Sequence, residues 1–116
     1  MINTFSKLIL LKIKILAEQK GGTKMTTYFM FGKYSPEAIK GISSERTKKA
    51  NDAILKLGGE IVAQYALLGD KDLVFIVNLP GVEEVIQASA NLHRLTGIAF
   101  SSTPAITVDK FDEILS

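Results

Sequence analysis

The stretch Gly58–Asn78, GGEIVAQYALLGDKDLVFIVN, constrains the fold more than any other part of the chain. Two runs rich in β-branched and aromatic residues, Ile61–Leu68 and Leu73–Asn78, flank the polar break Gly69-Asp70-Lys71-Asp72. Each run is too short for a well-formed helix, and β-branched side chains fit a pleated surface. Glycine in the break supplies left-handed backbone geometry, and aspartates cap local N–H groups, so the stretch predicts a β-hairpin. A strand–helix pair is expected on each side of it.

On the N-terminal side, the first strand is expected over Thr27–Tyr34. Alternation sends Tyr28, Met30, Gly32 and Tyr34 one way and Phe29, Phe31 and Lys33 the other. Ser35-Pro36-Glu37 then reads as a helix start: an N-cap, a proline in the first turn and an early acid. The helix is expected to reach Leu57, with a break near Gly41–Ser44, and Gly58-Gly59 ends it. Its apolar stripe is Ile39, Ile42, Ala50, Ala53, Ile54 and Leu57, with Arg46 falling on the stripe.

On the C-terminal side, Pro80-Gly81 stops the third strand. A helix from Val82 to about Leu95 should point Val82, Val85, Ile86, Ser89 and Leu92 inward, with Gly97 closing it. The fourth strand is expected over Ile98–Thr103, ended by Pro104. Thr107-Val108-Asp109 caps a short last helix, Lys110–Leu115, whose docking face is Phe111, Ile114 and Leu115.

The order β-α-β-β-α-β is the ferredoxin-like pattern of the α+β class: a four-stranded antiparallel sheet with helices on one face. Yet the first and third strands carry large apolar groups on both faces. An exposed apolar surface of that extent is unusual on a monomer, so a second copy is expected to pack sheet to sheet in a homodimer or larger homo-oligomer.

Composition narrows the function. The 116 residues make one domain and include no Cys and one His, so thiol catalysis and thiolate zinc sites are excluded, and no metal or cofactor is expected. Residues 1–24 hold five Lys against Glu18 and carry a net charge of +4, whereas the remainder carries −2. A body of that sign does not attract a polyanion, so nucleic acid is not an expected partner.

The leader, MINTFSKLILLKIKILAEQKGGTK, differs in character from the rest of the chain. Lys12 and Lys14 interrupt its apolar stretch, which weakens a signal-peptide reading, and no apolar run is long enough for a membrane span. Leu11, Ile13 and Ile15 alternate with lysine as in a strand, against a membrane-surface helix. Lys20-Gly21-Gly22-Thr23-Lys24 before Met25 can be encoded as AAA GGA GGT ACA AAA ATG, which contains a bacterial ribosome-binding sequence. The expectation is a native start at Met25, with a leader over 1–24 outside the native fold and a domain over 25–116, in a cytoplasmic protein without membrane attachment unless the leader is native.

From Met25 onward the chain resembles the GYD family of small bacterial and archaeal proteins. The resemblance rests on TYFMFGKYSPEAIKGI, on Arg46 followed by a Lys/Ala-rich helix, on LGGEIVAQYALLGDKDLVFIV and on Pro80. In the family pattern a Gly, a spacer, a Tyr and an Asp form the turn; Gly69 and Asp72 match, and Lys71 stands in the tyrosine's place. The resemblance implies a dimeric α+β barrel and no particular reaction.

Seven residues are candidate ligand-binding groups, each with a plainer reading beside it. Arg46 could fork onto a carboxylate or phosphate, or be an internal structural pair. Asp72 could be a general base or the partner of Arg46, or bond its own turn backbone. Tyr28, Tyr34 and Tyr65 could line a cavity between sheet and partner, or simply pack. Lys33 could place a charge at a cavity mouth, or be a solvated edge lysine. His93 could act as a base, or complement the helix dipole together with Arg94. The leading function is non-enzymatic binding or sensing of a small molecule, anions included, in the inter-sheet cavity. A cofactor-free monooxygenase or isomerase and a purely structural assembly subunit stand as alternatives.

Overall fold

A computed structural model describes residues 24–116, and Lys7 and Ile9 of the segment before them. The expectations for the leader otherwise lie outside the described residues. The elements run β1 (Thr26–Lys33), α1 (Pro36–Lys40), α2 (Ser44–Leu55), β2 (Glu60–Ala66), β3 (Leu73–Leu79), α3 (Val82–Thr96), β4 (Ala99–Ala105) and α4 (Val108–Leu115). The four strands form one sheet in the order β2-β3-β1-β4, all neighbours antiparallel. This is the expected ferredoxin-like architecture.

The two-faced strands β1 and β3 occupy the centre because only central strands can bury apolar groups on both sides. The edges are guarded differently. β4 is polar and carries Pro104, which is paired with Tyr28 inside the strand and does not end it as expected. An edge strand tolerates proline because one side of its backbone needs no ladder bond. β2 has a bulge between Ile61 and Ala63, which disrupts the regular edge.

Tyr28, Met30, Phe75, Val77 and Leu79 meet Ala50 and Ile54 of α2 and Val85, Ala88 and Leu92 of α3 in one buried core. Met30, Ile54, Val77, Leu79 and Leu92 are fully buried. Each large side chain so placed contributes about 1.5–3 kcal/mol of burial free energy. Ala50 and Ala88 are the small residues of the helix faces and let the helices approach the sheet. Gly32 serves the same purpose in β1: a Cβ there would lie 2.8 Å from Leu73 and 2.9 Å from Ile98.

The helix break at Gly41 is present, and Ser35 and Ser43 cap α1 and α2 by accepting from Ala38 N and Arg46 N. The break leaves α1 touching the core only through Ala38, so the expected stripe residues Ile39 and Ile42 are exposed while Ala50 and Ile54 are buried. In α3, Val82 and Ile86 are 64% and 63% exposed, against the inward positions expected. The buried stripe is Val85, Ala88, Leu92 and Thr96, which rotates Val82 and Ile86 over the β4 edge. Gly97 closes α3 in the left-handed conformation. The last helix has the expected cap at Thr107, but Phe111, Ile114 and Leu115 are exposed and none of its residues is buried.

Candidate functional site

The sheet face opposite α2 and α3 is apolar along its middle. The register puts Phe29 beside Ile76 and Phe31 beside Val74, and the Phe29 and Phe31 rings lie 6.3 Å apart. Val74, flanked in the register by Phe31 and Tyr65, is already buried. Val62 and Tyr65 on β2 are more than half exposed.

At one end of this face a groove of about 380 Å³ is lined by Thr27, Phe29, Val62, Ile76, Asn78 and the segment Ala105–Thr107. Its volume lies in the range of small-molecule sites, and its walls combine apolar surface with a few polar groups. Thr27 Oγ1 donates to Asn78 Oδ1 at 2.6 Å. That bond fixes the amide and leaves its N–H groups without a hydrogen-bond partner among the described residues. No charged side chain lines the groove.

Most of the sequence-derived candidates gather instead at the opposite, hairpin-turn end of the sheet. Asp72 Oδ2 accepts from Tyr34 N at 2.7 Å, while Asp72 N donates to Gly32 O and Leu67 N donates to Asp72 O. Asp72 therefore does not serve its own turn with its carboxylate; it staples the hairpin to the end of β1. Lys33 Nζ donates to Asp70 O at 2.9 Å and reinforces the same seam. Replacing Asp72 with Ala should cost about 1–3 kcal/mol, because Tyr34 N loses its acceptor, whereas Asn retains an acceptor oxygen and costs less. Urea denaturation of the two variants measures the difference.

Arg46 is not paired with Asp72. Its guanidinium donates to Ala38 O at 2.5 Å and stands over the Tyr34 ring, 5.9 Å from the centroid. The carbonyl belongs to the C-terminal part of α1 and also accepts from Gly41 N, so the cation adds a second donor at the end of the helix, where a positive charge complements its dipole. The aromatic contact adds about 0.5–1 kcal/mol. Arg46 thus fastens α1 to α2, and a Cβ at Gly41 would lie 2.8 Å from it. Beside this cluster Tyr34, Gln64, Tyr65 and Phe75 line a shallow depression of only about 150 Å³.

The two remaining candidates lie elsewhere. Tyr28 is buried on the helix side of the sheet, where it lines a cavity against α3, and so does not face the second-copy side. His93 sits in the last turn of α3 with Nδ1 3.2 Å from Ile98 O, at the rim of an open groove shared with Arg94. Among the described residues no cluster of three His, Cys, Asp or Glu could hold a metal, and no helix is long and apolar enough to cross a membrane. Thr27 and Asn78 are not among the residues that the sequence singles out. The signal was Asn78 itself, a lone polar residue between Val77 and Leu79 on the same face as Val74 and Ile76.

Sheet order, antiparallel register and helices on one face define a ferredoxin-like α+β domain. One solved structure supports the fold, and two others are similar at lower scores. An AsnC family transcriptional regulator from Agrobacterium tumefaciens superposes with a TM-score of 0.51 at 17% identity, covering 90% of this chain and 71% of that one. A protein from Thermus thermophilus aligns at 24% identity and TM-score 0.47, covering 72% of this chain and 95% of its own. The leucine response regulatory protein of Mycobacterium tuberculosis aligns at 9% identity and TM-score 0.49, covering 90% and 72%. No curated protein matches the sequence. The GYD domain model matches residues 15–115, nearly the whole chain, and the protein belongs to the GYD family.

Proposed function

We propose that the protein is a self-associating domain that binds a small neutral molecule between the open faces of two copies. The observation that carries this reading is the Phe29–Ile76 face with the Asn78 amide at its end. Apolar walls supply affinity, and a fixed amide supplies orientation. The exposed apolar face of α4, formed by Phe111, Ile114 and Leu115, lies just beyond the Ile106–Thr107 wall of the groove and offers a lid for the partner copy. An anionic ligand is not part of the proposal, since the groove has no charged lining and Arg46 and Lys33 are engaged at the other end. Sensing, as opposed to catalysis, fits a groove whose polar side chains are two threonine hydroxyls and an amide, none of which titrates near neutral pH. The AsnC-family likeness is a likeness of fold, and regulation of transcription is not carried over from it.

Sedimentation of the full chain over a range of concentrations tests the association, and a titration with benzamide tests the groove. Benzamide presents a ring to Phe29, Val62 and Ile76 and a primary amide to Asn78. Saturable shifts of the Thr27 and Asn78 amide resonances are expected, weakened about fivefold to tenfold in Asn78→Leu. A chain that stays monomeric at high concentration, or shifts that Asn78→Leu leaves unchanged, would sink the reading.

A further inference from the structure

On the helix side of the sheet, Ser102 occupies a position that an apolar residue would normally fill. The register sets it beside Met30 of the central strand, facing the core. Its small side chain, together with the outward rotation of Val82 and Ile86, leaves a cavity of about 310 Å³ between α3 and β4. Tyr28, Val85 and Phe100 form its apolar walls, and Val82 and Ile86 stand at its rim. Ser102 Oγ is buried there and has no hydrogen-bond partner among the described residues. A hydroxyl removed from water without a partner is costly, and a ligand that supplies a donor or acceptor recovers that loss.

We infer that this cavity binds a small, uncharged, largely apolar molecule carrying one hydroxyl or carbonyl, which bonds to Ser102 Oγ. The lining contains no charged side chain, so an ion would enter without compensation. Ser89, one turn beyond Val85 and Ile86, adds a second hydroxyl on the α3 wall. Ile86, Ser89 and Phe100 also line the adjoining open groove beside His93, which gives the cavity a path to solvent. This site lies on the opposite side of the sheet from the groove at Asn78 and does not rest on self-association.

Thymol and cymene, which differ by one hydroxyl, are the probes. Titrated into the full chain and followed by amide resonances of Val85, Phe100 and Ser102, thymol should bind saturably and about fivefold more tightly than cymene. Ser102→Ala should erase that preference while cymene still binds. Ile86→Trp, at an exposed rim position, should exclude both probes with the circular dichroism spectrum unchanged. The inference is overturned by equal affinities in the unaltered protein, by a preference that survives Ser102→Ala, or by the lack of saturable shifts at these three amides. It is equally overturned if Ile86→Trp alters the mass in solution and leaves probe binding intact, since the groove would then belong to a second copy.

Discussion

Gly59→Ala is expected to destabilise the fold by about 3 kcal/mol, whereas Gly58→Ala next to it should cost about 1–2 kcal/mol. The two glycines have different physical reasons. Gly58 has a φ of 81°, and its N–H donates to Leu55 O as α2 ends; an added Cβ would meet only Pro80 at 3.7 Å. Its requirement is conformational, so Asn, which tolerates the left-handed region, should recover much of the loss. Gly59 has no such backbone demand. A Cβ there would lie 2.5 Å from Leu79 Cδ2, 3.0 Å from Asn78 O and 3.1 Å from Ile54 Cγ2. Leu79 and Ile54 are fully buried, and Asn78 O is backbone, so none can yield cheaply. In a domain of this size the change should lower Tm by roughly 10–20 °C. Asn at 59 should be no better than Ala. Thermal unfolding of the four variants distinguishes conformational strain from crowding; equal losses for Ala at 58 and 59 would contradict the assignment.

That pair also marks the boundary of what can be read from residues alone. The Gly-Gly stop is legible as chain conformation, but the crowding at Gly59 depends on Leu79, at the far end of the hairpin's second strand. The same division runs through the fold. Alternation in TYFMFGK and LVFIVNL announces two-faced strands, and Ser35-Pro36 announces a cap, because these signals are local. Periodicity alone misplaces the inward face of α3: Val82 and Ile86 are as apolar as Val85, and only the sheet's edge decides which of them is covered. Arg46 stands out as a cation on an apolar stripe, but its acceptor is the Ala38 carbonyl, and backbone acceptors leave no trace in a sequence. Asp72 is recognisable as a turn residue, while its real partner, Tyr34 N, is 38 residues away. Ser102 gives no signal, because a serine in an edge strand is ordinary until the opposing helix is in place.

Phe29→Glu should hold the chain as a monomer at concentrations where the unaltered protein associates, weakening self-association by a factor of about 100 or more. Phe29 is central to the open face, paired with Ile76 on one side and Thr103 on the other. In the monomer this face has no covering element among the described residues, so a carboxylate there can reach water and the fold should survive. Between two sheets the same carboxylate would be stripped of water, and two-fold symmetry would bring its copy close, a penalty of several kcal/mol. Met30 is its immediate neighbour in sequence but points the other way and is fully buried, so Met30→Glu should unfold the domain. The contrast separates an interface from a core within a single strand. Sedimentation and circular dichroism read it directly: a folded monomer for Phe29→Glu supports sheet-to-sheet pairing. A folded oligomer would place the interface elsewhere, most directly on the exposed apolar face of α4, whose Phe111, Ile114 and Leu115 would then be the next residues to charge.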